Sequence, residues 1–579
     1  MRYSILSAPS SVRHTLDVFG GYNHNLRIGE GEFYHMENLT SDRYPVLAAR
    51  NKRGVFAQTA AAGLIAKDSL CYVNGTDFVI NGYPVPMGLS DGEKQLVSMG
   101  AYVIILPDKK WINTLDLTDW GDIEAVFTSN SDVTFSLCDA AGGALPQPAV
   151  SAAAPEDPRN MALWLDTSAS TPILKQYSAD TGVWNVYTDS LVKIQCPGIG
   201  KAFAVFDGVS ISGVLAQELE SLNGSAVIRA IGEDFIAVPG VVGEPITQQT
   251  PAGAVTVARR MPDMDFVTQC GNRLWGCRYG TDRDGRTVNE LYACKLGDFR
   301  NWNCFLGLST DSWAASVGSD GPFTGAVTHL GHPVFFKEHC LHKIYTSPAG
   351  AHQVQDTPCR GVEQGSAKSL ALVGDTVYYK SPGGICAYDG SLPVEVSQAL
   401  GTEVYRNAVG GSAGHKYYVS MEDRAGAWHL FVLDTQKGLW HREDSLRVSA
   451  FCFCRGELYA VDPAGGRILA LLGSGEPEAD PVRWMAQTGE LGLSAARHQY
   501  ISRMVLMMGL GEGASADVFV QYDLSETWEH LCTVQGTGLG LTAIPIRPRR
   551  CGYLKLRLEG HGPVRLYALT KTMEEGSDL

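Results

Sequence analysis

The sequence lacks any apolar run long enough to cross a membrane as a helix, which takes about 18 consecutive apolar residues. Its first ten residues carry one basic residue, Arg2, and no apolar core of the kind that a signal peptide needs. Helical periodicity is scarce along the whole chain. These absences predict a protein that is made and folded in the cytoplasm and has no membrane-inserted segment.

Paired cysteine motifs are also missing, although the chain has 14 cysteines. No CxxC pair opens a zinc site, and the gaps between the four cysteines of residues 270–304 are irregular. Free cysteine behaves as a small buried hydrophobe, and reduced cysteines fit assembly in a cytoplasm. We therefore predict no metal and no cofactor.

Motifs for catalysis are absent as well. The chain has no GxxxxGK[ST] loop and no GxSxG elbow, and no helix follows the glycine-rich turn at Gly509. Asp282 opens a stretch like a calcium loop, but Ala293 stands where the twelfth position needs a glutamate. Glu443 and Asp444 are adjacent, and neighbours on a strand point to opposite faces, so they could not flank one glycosidic bond. We therefore predict that the chain is not an enzyme.

Positive charge is in deficit. Lys and Arg number 47 against 62 Asp and Glu, which gives a net charge of −15. Wrapping nucleic acid needs an excess of Lys and Arg, so the balance argues against a surface that binds DNA throughout. It suits a surface past which DNA slides without sticking.

What the chain does have is a repeated pair of strands within residues 262–472. Each instance is an alternating strand, a tight turn and a second strand that ends in aromatic residues. The instances begin at Asp265, Gly325, Lys368, Asn407 and Val448. Their spacing of roughly 40 to 60 residues is typical of β-propeller blades. Similar pairs at residues 70–80 and 94–107 predict the first blades, with a hairpin turn at Asn74–Gly75.

The repeat of strand pairs is interrupted after residue 120 and ends after residue 472, and these two positions define the predicted domains. The fold class is all-β: a β-propeller of about six to eight blades with inserted small β domains and a C-terminal, jelly-roll-like β-sandwich. Residues 1–120 hold an N-terminal segment and the first blades, 121–261 one or two inserted β modules, 262–481 the remaining blades, and 482–579 the sandwich.

Several stretches resemble the nozzle and packaged-DNA stabilisation proteins of tailed bacteriophages. They are residues 37–54 (ENLTSDRYPVLAARNKRG) and the blade motifs at 272–276, 295–302, 334–338 and 384–390. The resemblance implies a structural virion protein that forms a ring at the portal–tail junction or in the tail, through which genomic DNA is retained and ejected. It implies contacts with other copies and with portal, adaptor or tail proteins, and assembly in the bacterial cytoplasm. It brings no catalytic residues.

Two sets of side chains are candidates for binding. The first could contact a neighbouring subunit or DNA, or be solvated: Arg547, Arg549, Arg550 and Lys571. The second belongs to an alternative function, a host-glycan-binding tail or baseplate protein, and could stack on sugars: Trp184, Trp313, Trp428 and Trp528. A glycosidase is the third hypothesis.

Overall fold

The computed structural model describes residues 11–169, 171–249, 254–492 and 499–575. The protein is built almost wholly of antiparallel strands, which confirms the all-β prediction. Four short 3-10 helices lie at Ile199–Ala202, Gln217–Leu222, Ala367–Ser369 and Gln398–Leu400. Among the residues described, no helix is long and apolar enough to span a membrane. All 14 cysteines are free thiols, and most are buried.

Five strands precede the first repeated sheet. They are β1 (Ser11–Leu16), β2 (Phe33–Glu37), β3 (Leu39–Thr40), β4 (Leu47–Ala49) and β5 (Gly54–Ala57). They form no separate sheet: β3 pairs with β4, and β1, β2, β4 and β5 each pair with a strand from the C-terminal half of the chain.

Seven sheets share one design, in which consecutive strands pair antiparallel, and we name them meanders 1 to 7. Meander 1 comprises β6 (Gly63–Ala66), β7 (Leu70–Asn74), β8 (Asp77–Ile80) and β9 (Tyr83–Pro86). Meander 2 comprises β10 (Gln95–Met99), β11 (Tyr102–Leu106), β12 (Lys110–Asn113) and β13 (Asp116–Asp122). The hairpin predicted at Asn74–Gly75 turns one residue later: Asn74 pairs with Asp77, and Gly75 takes the positive φ of 58°.

Three further sheets lie between meanders 2 and 3. Their strands are β14 (Ala125–Thr128), β15 (Val133–Cys138), β16 (Ala149–Ser151), β17 (Leu163–Asp166), β18 (Ile173–Ser178), β19 (Val183–Val186), β20 (Leu191–Gln195), β21 (Gly208–Ser212), β22 (Gly224–Val227), β23 (Ala230–Gly232), β24 (Phe235–Pro239), β25 (Ile246–Gln248) and β26 (Thr256–Arg259). The sheets have the orders β14-β26-β21-β22, β23-β24-β20-β15-β25 and β16-β17-β18-β19. They share one apolar core that contains Phe135, Ile194 and Val257.

Meanders 3 to 7 follow. Meander 3 comprises β27 (Phe266–Cys270), β28 (Arg273–Thr281), β29 (Thr287–Ala293) and β30 (Trp313–Ser316), and meander 4 comprises β31 (Gly325–His329), β32 (His332–Phe336), β33 (Cys340–Thr346) and β34 (His352–Pro358). Meander 5 comprises β35 (Ala371–Val373), β36 (Thr376–Ser381), β37 (Gly384–Tyr388) and β38 (Val394–Glu395), and meander 6 comprises β39 (Arg406–Ala413), β40 (Lys416–Glu422), β41 (Trp428–Asp434) and β42 (Leu439–Arg442). Meander 7 contains β43 (Phe451–Cys454), β44 (Glu457–Asp462), β45 (Arg467–Ala470) and β46 (Glu476–Pro477). Meander 7 is completed by β5, in the order β43-β44-β45-β5-β46.

The first strands of successive meanders lie side by side. β6 contacts β10, β10 contacts β27, β27 contacts β31, β35 contacts β39, β39 contacts β43, and β43 contacts β6. Between meanders 4 and 5 the contact to β31 comes from the 3-10 helix that precedes β35. Separate apolar cores fill the spaces between neighbouring meanders, as Val334 and Val377 do between meanders 4 and 5.

Both ends of the chain build a two-sheet sandwich. Its C-terminal strands are β47 (Arg483–Thr488), β48 (Gln499–Leu510), β49 (Ser515–Tyr522), β50 (Glu529–Gln535), β51 (Gly538–Ile544), β52 (Leu554–His561) and β53 (Val564–Glu575). One sheet has the order β3-β4-β53-β48-β51, with β1 also on β53, and the other β2-β47-β52-β49-β50. In β52 the leucines point inward, and the charged residues between them lie at the surface, as their alternation predicted.

The N-terminal strands were not anticipated in this sandwich. Residues 1–120 are predicted to hold an N-terminal segment and the first blades, whereas β1 and β4 pair with β53 and β2 pairs with β47. These strands are short, and five of the six residues of β1 are exposed. Their local sequence therefore carries no sign of a partner more than 400 residues away.

Candidate functional site

An open sheet edge runs along β51. The strand pairs with β48 from Ile544 to Gly538, and it has no second partner among the described strands. Leu539 and Leu541 are 58% and 74% exposed. The strand carries neither charge nor proline, which are the usual protections of an edge. Its free N–H and C=O groups therefore form a template for a further strand.

The same sheet has a second open strand on its far side. β1 pairs with β53 from Ser11 to Leu16, and within the described chain nothing pairs with its outer edge. Val12 is 63% exposed on this strand. The order across the sheet is β1-β53-β48-β51, so two open strands of similar length stand at opposite edges.

The predicted arginines lie in the segment that follows β51 in the chain. Arg547, Arg549 and Arg550 follow the strand directly, and all three are exposed. Arg549 pairs with Glu529 at 2.9 Å, and its guanidinium lies 4.6 Å from the ring centre of Tyr522. These three residues therefore share one exposed segment after β51, and Arg549 contacts β49 and β50 of the second sandwich sheet.

Lys571 does not join them. Its side chain is only 2% exposed and forms an ion pair with Glu30, which links β53 to the segment before β2. Burial alone would raise the pKa of Glu30, but the hydrogen bonds from Lys571 and the Gly492 N–H, together with the charges of Lys571 and His14, outweigh it, and the pKa is lowered. The expectation of an exposed contact is therefore corrected for Lys571, because its ammonium is already neutralised inside the chain.

The four candidate tryptophans are half-buried and lie in four different sheets. Trp184 is in β19, Trp313 begins β30, Trp428 begins β41, and Trp528 immediately precedes β50. Trp184 packs on Trp164 with ring centres 5.4 Å apart. The structure does not bring the four together, so they form no common surface for a sugar chain.

A cavity of about 620 Å³ lies where the first strands of the meanders approach one another. Every meander contributes to its lining: Leu64, Gln95, Phe266, Val327, Leu370, Val409 and Phe451. Lys368 reaches across this cavity. Its Nζ lies 3.0 Å from a Glu93 carboxylate oxygen and donates to the Ser449 carbonyl at 2.6 Å. Sequence reasoning missed this lysine because its partners come from distant repeats.

Carboxylates at the rim of this central cavity are paired with cations. Lys109 Nζ lies 3.0 Å from Glu124 and 2.7 Å from Asp263, and Arg283 binds the same two groups. Burial raises the pKa of both carboxyls, but the hydrogen bonds from Lys109 and Arg283 outweigh it and lower both pKa values. A glycosidase acid needs the opposite shift. This pair is therefore not suited to donate a proton.

The prediction that Glu443 and Asp444 point to opposite faces is wrong. Both carboxylates bind the Arg53 guanidinium, each at 2.7 Å. They converge because β42 ends at Arg442, so strand alternation does not apply to them. In the described part of the chain, no group of three or more His, Cys, Asp or Glu residues is arranged to hold a metal ion.

No family model and no curated protein matches the chain. Similar solved structures include an exo-β-1,3-galactanase from Phanerochaete chrysosporium with galactose, at 9% identity over 53% of this chain and 94% of that chain, with a TM-score of 0.22. Apo AztD from Citrobacter koseri is 9% identical over 74% of this chain and 96% of that chain, with a TM-score of 0.27. An acylaminoacyl peptidase from Pyrococcus horikoshii is 11% identical over 52% and 50%, with a TM-score of 0.23.

These neighbours contradict the prediction that the chain is not an enzyme, because glycoside hydrolases are among them. We do not retain that prediction. At identities of 8 to 11% and TM-scores of 0.20 to 0.27, the similarity assigns no reaction to this chain.

Proposed function

We propose that the seven meanders close into a seven-bladed β-propeller. The contacts between first strands, which run from β6 around to β43 and back to β6, support this closure. So does β5, an N-terminal strand that completes meander 7 beside β45. A Cβ atom at Gly54 would lie 1.6 Å from the Ser474 carbonyl oxygen, so β5 can pack this closely against the backbone at Ser474 only with glycine at position 54.

We further propose that the protein is a structural subunit of a tailed-phage virion. It would form a ring at the portal–tail junction or in the tail, through which genomic DNA is retained and ejected. The observation that carries this proposal is the pair of open strands at opposite edges of one sandwich sheet. If β51 of one copy adds to β1 of the next, the contact is head-to-tail, and such contacts close into a ring when the rotation from copy to copy completes a circle.

Strand addition also explains the exposed leucines. Main-chain hydrogen bonds would supply affinity along the edge. Covering an exposed leucine contributes about 1.5–3 kcal/mol, so Leu539 and Leu541 would add to the contact. Arg547, Arg549 and Arg550 would then lie at the border between subunits rather than in the DNA path.

The negative net charge of the chain is compatible with a ring through which DNA passes. Each copy carries a net charge of −15, and a ring of such copies would repel the phosphate backbone rather than trap it by counterion release. Portal, adaptor or other tail proteins would contact the two faces of the ring.

Mass photometry and negative-stain imaging of the purified full-length chain, alone and with its portal protein, test this function. We expect closed rings in at least one of the two samples. A protein that stays monomeric at micromolar concentration and does not bind the portal would overturn the proposal.

A further inference from the structure

A chain of three hydrogen-bonded side chains lies in meander 4 and the loop before it. The Ser319 hydroxyl oxygen is 2.9 Å from His342 Nε2, and His342 Nδ1 is 2.5 Å from an Asp356 carboxylate oxygen. Serine, imidazole and carboxylate in this order are the arrangement in which a general base activates a hydroxyl nucleophile. None of the three residues takes part in the surfaces described above.

The fold places these groups through cross-strand pairing. His342 on β33 and Asp356 on β34 are direct register partners, so their side chains share one face of the sheet. Ser319 lies in the loop between β30 and β31. Its carbonyl oxygen accepts hydrogen bonds from Asn289 Nδ2 at 2.7 Å and from Lys337 Nζ at 2.8 Å, which fixes the loop over the imidazole.

The electrostatics favour a neutral imidazole. The His342 side chain is fully buried, and burial lowers its pKa although Asp356 acts in the opposite direction. Lys337, a buried cation 4.6 Å from the Phe323 ring centre, lowers the pKa further. With Nδ1–H donated to Asp356, Nε2 is the nitrogen that can accept the hydroxyl proton of Ser319.

The serine is also reachable. Ser319 is half-buried, and its neighbours Gly318 and Asp320 are exposed. Over the described residues, the backbone N–H groups of Ser319 and Gly321 donate to no protein acceptor, so they remain available to an oxyanion. Ser319 is outside the lining of the central cavity and lies on an exposed loop, which suits a short acyl group on an accessible ester.

We propose that Ser319 and His342, positioned by Asp356, form a hydrolytic site for short-chain carboxylic esters. The Ser319 oxygen bonds to the ester carbonyl carbon while its proton passes to His342 Nε2. The tetrahedral intermediate expels the alcohol, which leaves with that proton. Water then attacks the acyl-serine and gives a proton to Nε2, and collapse releases the carboxylic acid and restores the serine hydroxyl.

A competing nucleophile is close by. The Cys340 thiol lies 3.8 Å from the same His342 Nε2. That distance is longer than the 2.9 Å from Nε2 to the Ser319 hydroxyl, which is why we assign the attack to the serine. Variants at both positions separate the two.

The experiment uses the full-length protein with two probes, 4-nitrophenyl acetate for turnover and diisopropyl fluorophosphate for covalent labelling. We expect one phosphoryl adduct, located by peptide mass spectrometry on Ser319. Ser319→Ala should abolish the adduct and lower kcat/KM at least about tenfold. Cys340→Ala and Ser347→Ala, the latter at an exposed serine of the same meander, should retain both signals.

Asp356→Asn tests the positioning role separately. It should lower kcat and also shift the acidic limb of the pH–rate profile to lower pH, because the carboxylate that raises the His342 pKa is gone. Near-UV circular dichroism checks that each variant is folded. Labelling of Ser319 no stronger than of other serines, full turnover in Ser319→Ala, or loss of turnover only in Cys340→Ala would each overturn the assignment.

Discussion

Arg53 and Glu443 form a buried ion pair, with Arg53 Nη2 2.7 Å from the carboxylate, although 390 residues separate them in sequence. The second nitrogen of the same guanidinium binds Asp444 at 2.7 Å. Burial raises the pKa of Asp444, but the charges of Arg53 and Arg50 and the hydrogen bonds to the carboxylate together outweigh it, and the pKa is lowered. The pair joins the residue before β5 to the end of meander 6, so it holds the strand that completes meander 7.

Replacing Arg53 with methionine should destabilise the protein by about 3 kcal/mol, because two largely buried carboxylates lose their main partner. Arg50, 3.6 Å from Asp444, limits the loss. Urea unfolding followed by tryptophan fluorescence measures the change. Arg360→Met is the matched control: its ion pair with Glu395 is at 2.6 Å, but Arg360 is 63% exposed, and we expect less than about 1 kcal/mol. Equal shifts in the two variants would contradict this account.

Ion pairs between residues that are far apart in the chain, such as Arg53 and Glu443, cannot be predicted from the sequence, whereas local patterns can. The alternation of Leu554, Leu556 and Leu558 with charged residues correctly predicted a half-buried strand, because the signal is local. The all-β class was predictable for the same reason. The pairing of β1 with β53 was not, since both strands accept many registers and only the folded chain selects one.

The candidate sites also divide into those with a local sequence signal and those formed by residues far apart in the chain. Arg547, Arg549 and Arg550 were found from sequence because three arginines cluster in one turn. Lys571 carries no local sign of its burial against Glu30. Ser319, His342 and Asp356 come from a loop and two strands and match no short motif, so only their distances in space identify them.

Leu541→Asp should prevent ring assembly. Aspartate is depleted in strands, and a charge on an edge strand is a usual protection against strand addition. Mass photometry should show monomers in place of rings. Leu115→Asp, at a leucine 78% exposed in meander 2, should assemble normally. If Leu541→Asp forms rings at wild-type concentrations, the edge is not the interface.

Mixing variants tests whether the contact runs from β51 to β1. Val12→Asp alone should also stop ring assembly, since Val12 lies on β1. Leu541→Asp copies keep an intact β1, and Val12→Asp copies keep an intact β51. An equimolar mixture should therefore give dimers through the one remaining contact, but no rings. A symmetric β51–β51 contact would leave Val12→Asp unaffected.

Duplex DNA should bind only weakly to the isolated chain at physiological salt, given its net charge of −15. Arg549→Glu places a carboxylate beside Glu529 at the start of β50 and should impair assembly before it alters DNA retention. Fluorescence anisotropy with a duplex at low and physiological salt, together with mass photometry, measures both effects. Arg424→Glu, at an exposed arginine of meander 6, is the control. Tight, salt-sensitive DNA binding that Arg549→Glu abolishes would contradict the assignment.

His441 should make stability depend on pH. The residue is 2% exposed, and neither ring nitrogen has a hydrogen-bond partner within the described chain. Burial, and then the charge of Lys416, lower its pKa from 6.5 to about 3, and Asp434, Asp42 and Lys437 also act on it. Below pH 6.5 the unfolded chain binds a proton at this histidine and the native chain does not. Stability therefore falls as pH falls, by up to about 1.4 kcal/mol per pH unit.

Replacing His441 with leucine removes one proton site and should reduce this slope between pH 7 and pH 5. His35, His342 and His352, whose pKa values are also lowered by burial, supply the slope that remains. The lowered pKa values of Asp434, about 2, and of Asp42 keep those carboxylates ionised over that range, so they do not add to the slope. Urea midpoints at several pH values give the slope for each variant. His339→Leu, at an exposed histidine, should keep the wild-type slope. If His441→Leu loses stability with falling pH as steeply as the wild type, another buried group controls the acid response.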